Sequence, residues 1–413
     1  MPYGPRTEDS AADLDPVSGL RFDDSTELAL GYVLRRRRMR RGNRVTLLRD
    51  GAQAFPAMLE AIAQAQRLIL IEFYIWRADE TGWRFAEALI ERRRAGVEVR
   101  AIYDALGCMD VEPLLFEKLR ENGIAVVEYR PLGPWRPRWG WLRRDHRKIL
   151  AVDNRIGFCG GINLANDYAS AEDGGGGWRD TAVRVEGPVV RDLSRLFLNT
   201  WERESKTLET RAAELRQPPP PVDLPRSPEV GREFVQVVSN AELLDRYFFK
   251  RSYVYAINRA RKTIAIENPY FLPDGAIRRA LIRAAKRGVH VRIIVPREGD
   301  VRVVAWATRY LFGGLLKHGI RIFEWRGAMI HAKTACIDGV WSTVGSYNID
   351  HKSLRHNLEV NVNVLSRELG SAMDLAFAAD AEQSDEVTLA TVRSRGLWDR
   401  VRSWLLYQFR YFM

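Results

Sequence analysis

The sequence predicts an α/β protein made of two duplicated α/β/α halves, each with a mostly parallel mixed sheet, packed so that one active site forms at their interface. Three observations carry this. Nearly continuous apolar strands alternate with amphipathic helices, the same order of segments returns later in the chain, and one polar motif occurs in both copies at identical spacing.

Phe55–Gln66 reads as a helix. Arg67–Trp76 (RLILIEFYIW) is almost wholly apolar, as a strand buried on both faces must be. Gly82–Arg94 reads as an amphipathic helix, and Gly96–Tyr103 (GVEVRAIY) as the next strand. Such alternation favours parallel βαβ units. The pattern recurs as strand Lys262–Leu272 (KTIAIENPYFL), helix Pro273–Arg287 and strand Gly288–Pro296 (GVHVRIIVP). AGVEVR and RGVHVR lie 192 residues apart, which marks an internal duplication and not a solenoid. The join falls within residues 205–230, where the consecutive prolines Pro218–Pro221 disfavour helix and sheet alike. The chain thus divides into a tail with a basic run (1–44), a first half (45–204), a Pro-rich linker (205–230), a second half (231–395) and a C-terminal amphipathic segment (396–413).

The 413 residues carry 64 Lys and Arg against 53 Asp and Glu, a formal net charge of +11. Such a surface favours nucleic acid, anionic lipid or phosphorylated substrates without choosing among them. With 46% hydrophobic residues, global disorder is excluded. Cys108, Cys159 and Cys336 have no CxxC spacing, so they read as small buried hydrophobes in a reduced setting. The acid-rich first 27 residues contain no apolar h-region, and no apolar run reaches the roughly 18–20 residues of a membrane span. A membrane contact would therefore be peripheral.

The motif reads His146-Arg147-Lys148, then Asp153, then Gly160-Gly161-Ile162-Asn163. The second copy reads His331-Ala332-Lys333, Asp338, and Gly345-Ser346-Tyr347-Asn348, with every offset the same. On a strand, residues i and i+2 share a face, so each His and its Lys point together. A phosphodiester gathers negative charge on its oxygens as a nucleophile attacks. Lys148, Lys333, Asn163, Asn348 and Ser346 offer that many positive or hydrogen-bonding contacts. One imidazole can be the nucleophile, and the other can protonate the leaving oxygen and then activate the incoming hydroxyl. No cofactor and no metal are expected, since no acidic cluster adjoins the motifs.

These residues resemble the signature of the phospholipase D superfamily. Ile71–Trp76 with Asp79–Gly82, Trp178–Thr181 with Val183–Pro188, Asn268–Phe271 and Asn357–Asn361 are similar to segments of bacterial cardiolipin synthases, the B type in particular. The resemblance implies His146 as the nucleophile and His331 as the general acid and base. It implies Lys148, Lys333, Asn163 and Asn348 as phosphate holders. Asp153 and Asp338 complete the catalytic motif, although the resemblance gives them a structural part. Asp180 and Glu359 are the candidates for orienting the imidazoles. Gly161 stands where many relatives have serine, so the two half-sites should be unequal. The implied activity is a phosphatidyl transfer that makes cardiolipin from phosphatidylglycerol and a second phospholipid such as phosphatidylethanolamine. It would run on the cytoplasmic side of the inner membrane, with a hydrolytic phospholipase D or a nuclease as the alternatives.

Two segments fit a partnership with an anionic membrane surface better than with nucleic acid. Pro131–Arg144 interleaves Trp135, Trp139 and Trp141 with four arginines beside His146. Gly396–Met413 places Leu397, Val401, Trp404, Leu405, Phe409 and Phe412 at helical spacing, flanked by Arg400, Arg402 and Arg410. It either lies in the headgroup region or docks on the protein's own core.

Overall fold

A computed structural model describes residues 31–132, 143–209, 222–240 and 247–411. The first half runs β1 (Arg40–Arg49), α1 (Asp50–Ala63), β2 (Leu68–Phe73), α2 (Glu80–Arg94), β3 (Glu98–Asp104), α3 (Leu114–Glu121), β4 (Ala125–Tyr129), β5 (Lys148–Val152), β6 (Ile156–Gly160), β7 (Thr181–Glu186) and α4 (Val190–Glu209). The second half repeats this order with β8 (Glu233–Ser239), α5 (Phe248–Arg259), β9 (Thr263–Glu267), α6 (Gly275–Lys286), β10 (His290–Pro296), α7 (Arg302–Leu316), β11 (Arg321–Trp325), β12 (Thr334–Ile337), β13 (Trp341–Gly345), α8 (His351–Arg355), β14 (Val360–Leu365) and α9 (Arg367–Glu382). It ends with β15 (Ser384–Val387), α10 (Leu389–Ser394) and α11 (Leu397–Gln408).

The strand order is β15-β11-β10-β9-β12-β13-β14-β8-β1-β7-β6-β5-β2-β3-β4. Apart from the edge strand β15, it reads the same from both ends, with β1 and β8 pairing antiparallel at the centre. The sheet is mixed, but less parallel than the alternation predicts. Among the described strands, only β2–β3–β4 and β9–β10–β11 pair in parallel. The motif strands β5–β6–β7 and β12–β13–β14 are antiparallel. The connection from β5 to β6 is a tight turn through Asp153 and Asn154, both at positive φ, too short for a parallel crossover.

Each half is layered helix–sheet–helix. On the outer face of the first sheet, Phe55, Ile62, Phe85, Leu89 and Leu115 from α1–α3 cover β2 and β3. On its other face Leu193 and Phe197 of α4 join a core shared by both halves, in which Ile149, Cys159 and Val183 meet Val344, Val360 and Val362. Cys108, Cys159 and Cys336 are all buried and unbridged, as expected. No helix among the described residues is long and apolar enough to cross a membrane.

Two expected boundaries shift. The first half begins before residue 45, because Tyr32 and Val33 are buried and β1 already begins at Arg40. Part of the basic run is therefore built into the junction of the halves, where Arg40 pairs with Asp192 at 3.0 Å. The expected linker start at 205 lies inside α4, which continues to Glu209, while residues 210–221 with the proline run lie outside the described residues.

The motif aspartates explain how the strands are registered. Asp153 Oδ1 accepts from the backbone N–H groups of Arg67 and Leu68, and Oδ2 from Gln66, each at 2.8 Å. Asp338 does the same for Arg261, Lys262 and Thr263 at 2.7–2.8 Å, and also accepts from the Tyr32 hydroxyl at 2.6 Å. Each carboxylate ties the entry of one strand to the hairpin of the next. The expectation that counted them among the catalytic residues is corrected. They sit at the far end of β5 and β12, about 16 Å of strand away from each lysine. Asp153→Asn, which suits the same positive φ, should lower stability by about 2 kcal/mol while turnover per folded molecule stays near wild type; chemical denaturation paired with active-site titration measures both.

Candidate active site

The sequence pattern sets the site's handedness. His146 and Lys148 face one side of their strand and Arg147 the other. Arg147 is fully buried and bonds Glu72 at 2.7 Å, Asp145 at 2.9 Å and the Thr200 hydroxyl at 2.7 Å. That network fixes the motif strand from behind. The second copy has Ala332 at this place, and its buried acid, Glu267, lies instead 3.8 Å from Arg179, which also holds Asp380 at 2.8 Å.

The two motif segments meet through backbone. His146 N–H donates to Leu358 O at 2.9 Å, and Leu358 N–H to Arg144 O at 2.8 Å. In the same way His331 N–H donates to Arg179 O at 2.7 Å, and Arg179 N–H to Met329 O at 2.8 Å. Each bridge puts the next residue of one half beside the histidine of the other. His146 Nδ1 lies 3.0 Å from Glu359 Oε2, and His331 Nδ1 lies 2.8 Å from Asp180 Oδ2. The two carboxylates singled out from sequence thus both orient imidazoles, and each serves the histidine of the opposite half. An imidazole that donates Nδ1–H to a carboxylate presents Nε2 as its reactive nitrogen.

Lys148 and Lys333 are 2% and 0% exposed, and their ammonium groups donate to the carbonyls of His146 and His331. Burial pushes Lys148 down to about 7 and Lys333 down to about 8, and each lysine also lies in the other's field or that of the acids around it. Burial holds His146 well below its ordinary value, with Lys148, Lys333 and His331 adding to the shift. Burial and Lys333 lower His331 too, but its hydrogen bond to Asp180 and the charge of Asp300 oppose them. The mutual effects place both histidines and both lysines around one centre. Glu359 is pushed up to about 7 by burial, against the pull of Lys148 and the Ser346 hydroxyl.

The remaining predicted residues divide. Asn163 spends its amide on the fold: Oδ1 accepts from Ile75 N–H at 3.2 Å and Nδ2 donates to the Tyr168 hydroxyl at 2.7 Å. Asn348 is buried with its Oδ1 unpaired among the described residues. Ser346, expected on the phosphate, instead donates to Glu359 Oε2 at 2.5 Å and accepts from Val360 N–H at 3.0 Å. Its hydroxyl hydrogen is committed to the carboxylate that holds His146. Gly161, its counterpart, has no room for a side chain: an added Cβ would lie 2.3 Å from Asp180 Oδ1.

Sequence reasoning missed Tyr168 and Tyr74. The Tyr168 hydroxyl lies 3.2 Å from His331 Nδ1, and the Tyr74 ring packs edge-on against His146 at 4.9 Å between centroids. The duplication gives no signal for Tyr168, because the residue at the same offset after Asn348 is Ser353. Of the tryptophan–arginine segment, residues 133–142 lie outside the described residues.

The family described as cardiolipin synthase, PLD-like domain, matches residues 58–201 and 253–381, one stretch for each half. The chain belongs to this cardiolipin synthase family. It is 33% identical over 389 residues to the cardiolipin synthase B of Escherichia coli K12, covering 90% of this chain and 88% of that one. It is 31% identical over 393 residues to a probable cardiolipin synthase of Bacillus subtilis, covering 94% and 75%. Among solved structures, the phosphatidylserine synthase of Haemophilus influenzae superposes with a TM-score of 0.64 at 13% identity, over 88% of this chain and 92% of that one, which speaks for the fold.

Two outcomes follow from the geometry. Gly161→Ala forces Asp180 off His331 and should lower kcat at least about tenfold with the fold intact by circular dichroism, since a displaced orienting group costs catalysis more than stability. The kcat/KM profile should be bell-shaped with its maximum near pH 7, because Glu359 must be ionised to hold His146 and the lysines, Lys148 first, lose their protons as pH rises. Glu359→Gln should remove the acid limb; an unchanged limb would detach Glu359 from it.

Proposed function

We propose that this phosphatidyltransferase makes cardiolipin from phosphatidylglycerol and a second phospholipid through a phosphatidyl-histidine intermediate on His146. The observation that carries the reading is the pair of buried imidazoles, each held by a carboxylate of the opposite half, with a buried lysine two residues after each.

The donor phosphodiester binds with its oxygens against Lys148 and Lys333. His146 Nε2 attacks phosphorus, the P–N bond forms, and the bond from phosphorus to the glycerol headgroup breaks. His331 supplies the proton that the departing glycerol oxygen takes up. The free headgroup hydroxyl of a phosphatidylglycerol acceptor then gives its proton to His331 and attacks phosphorus, the P–N bond breaks, and His146 is released. The deeper depression of His146 supports it as the neutral nucleophile, and the contacts of His331 with Asp180 support it as the proton carrier. Ser346 serves the nucleophile indirectly through Glu359, and the buried Asn348, whose Oδ1 has no partner among the described residues, is left to contact the substrate. The lipids are those of a bilayer, so the enzyme works as a peripheral protein, on the cytoplasmic face of the inner membrane.

Incubation with labelled phosphatidylglycerol, with and without phosphatidylethanolamine, should yield cardiolipin by lipid mass spectrometry. Phosphatidic acid as the main product would make the enzyme a hydrolase. His331→Ala should accumulate labelled enzyme and His146→Ala should not; label trapped on the His146→Ala variant would reverse the two roles.

A further inference from the structure

The C-terminal helix α11 is docked by one face and bare on the other. Ser403 and Tyr407 are buried, and Leu406 packs on the same core. Tyr407 meets the Tyr310 ring at 4.6 Å and Arg402 lies 3.9 Å over Trp306, both rings on α7. The helix is therefore fixed in place, and its docking residues are not those of the apolar stripe.

The stripe points outward. Trp398 is 85% exposed, Leu397 71%, Phe409 52%, Leu405 49%, Trp404 48% and Val401 42%. At 100° per residue these six occupy one continuous arc of about 140°. Arg402 stands at one border of the arc and Arg400 at the other. Between Leu389 and Tyr411 the chain carries five arginines and a single acid, Asp399. A soluble surface rarely exposes so much contiguous apolar area. An apolar arc with two tryptophans, bordered by arginine, matches the headgroup layer of an anionic bilayer, where the rings enter the acyl boundary and the guanidinium groups stay with phosphate.

The same surface leads to the active site. Tyr411, just past α11, packs on His351 at 4.5 Å, and His351 follows Asn348 by three residues. At the start of α7, Val301 and Val303 are 39% and 40% exposed. They adjoin Asp300, whose charge acts on His331 and Lys333.

We infer that α11, with the exposed start of α7, is the face by which the enzyme lies on an anionic phospholipid bilayer, holding the second half-site against the lipid surface. This rests on the reading that the substrates are bilayer lipids. The test compares wild type with Trp398→Ser and with the triple variant Trp398→Ser/Trp404→Ser/Leu405→Ser. Binding is read by co-sedimentation with phosphatidylglycerol–phosphatidylcholine vesicles and with phosphatidylcholine vesicles. Turnover is read on phosphatidylglycerol in vesicles and on a short-chain, freely soluble phosphatidylglycerol. The triple variant should lose about tenfold or more in partition to the anionic vesicles and in vesicle turnover, and the single variant less. Soluble-substrate turnover should stay within about twofold, which a folding defect would not allow. Wild-type sedimentation of the triple variant overturns the inference. So does light scattering that shows a wild-type dimer split by the triple variant with vesicle binding unchanged, which makes the face a contact between copies of the chain. If wild type turns over neither substrate, the reaction reading fails, while the partition comparison still decides the surface.

Discussion

Neither histidine has its orienting carboxylate in its own half. His146 depends on Glu359 and His331 on Asp180, so the site exists only where the halves meet. The cross-half backbone bonds at Leu358 and Arg179 set these pairs, because each places the carboxylate one residue beyond the bridge. A small slip at the interface would misorient both imidazoles together. This accounts for the large buried investment around it: the shared apolar core, the Arg147 network behind one motif and the Arg179 network behind the other. Removing one member of such a network leaves an uncompensated buried charge, which is why these ion pairs act as locks on geometry.

The same burial gives the site its chemistry. Two ammonium groups and two imidazoles confined near one point repel each other, and loss of solvent penalises every charged form. The site lowers both histidines and both lysines. An arriving phosphodiester supplies the missing negative charge, so binding itself restores the protonated lysines and favours a proton on His331. The cost of assembling like charges is thus offset by the substrate and not by the fold. That arrangement favours the anionic transition state over any neutral occupant.

Much of this was legible in the sequence because the duplication repeats both pattern and spacing. Strands β2, β3, β9 and β10 fall where apolar runs predicted them, since strands buried on both faces leave no alternation to misread. The motif residues converge because i and i+2 share a strand face. What the sequence did not disclose is what depends on contacts between the halves: the crossing of Asp180 and Glu359, and the part of Tyr168. The count of parallel pairs also went astray, because hairpin strands around a polar motif are as apolar as parallel ones. Asp153 and Asp338 looked catalytic by company, yet their positive φ and backbone bonds make them turn residues.

The inequality of the half-sites follows from acid length. Glu359 reaches His146 with a spare lone pair for the Ser346 hydroxyl, 2.5 Å away. Asp180 is one methylene shorter, so its carboxylate lies closer to the backbone, in the volume a serine Cβ would need at position 161. Glycine there is a consequence of aspartate, and the hydroxyl lost from the strand returns on Tyr168, 3.2 Å from His331 Nδ1 and held by Asn163. Two copies of one motif thus hold their imidazoles by different carboxylates and different neighbours, the asymmetry on which the proposed division into a nucleophile and a proton carrier rests.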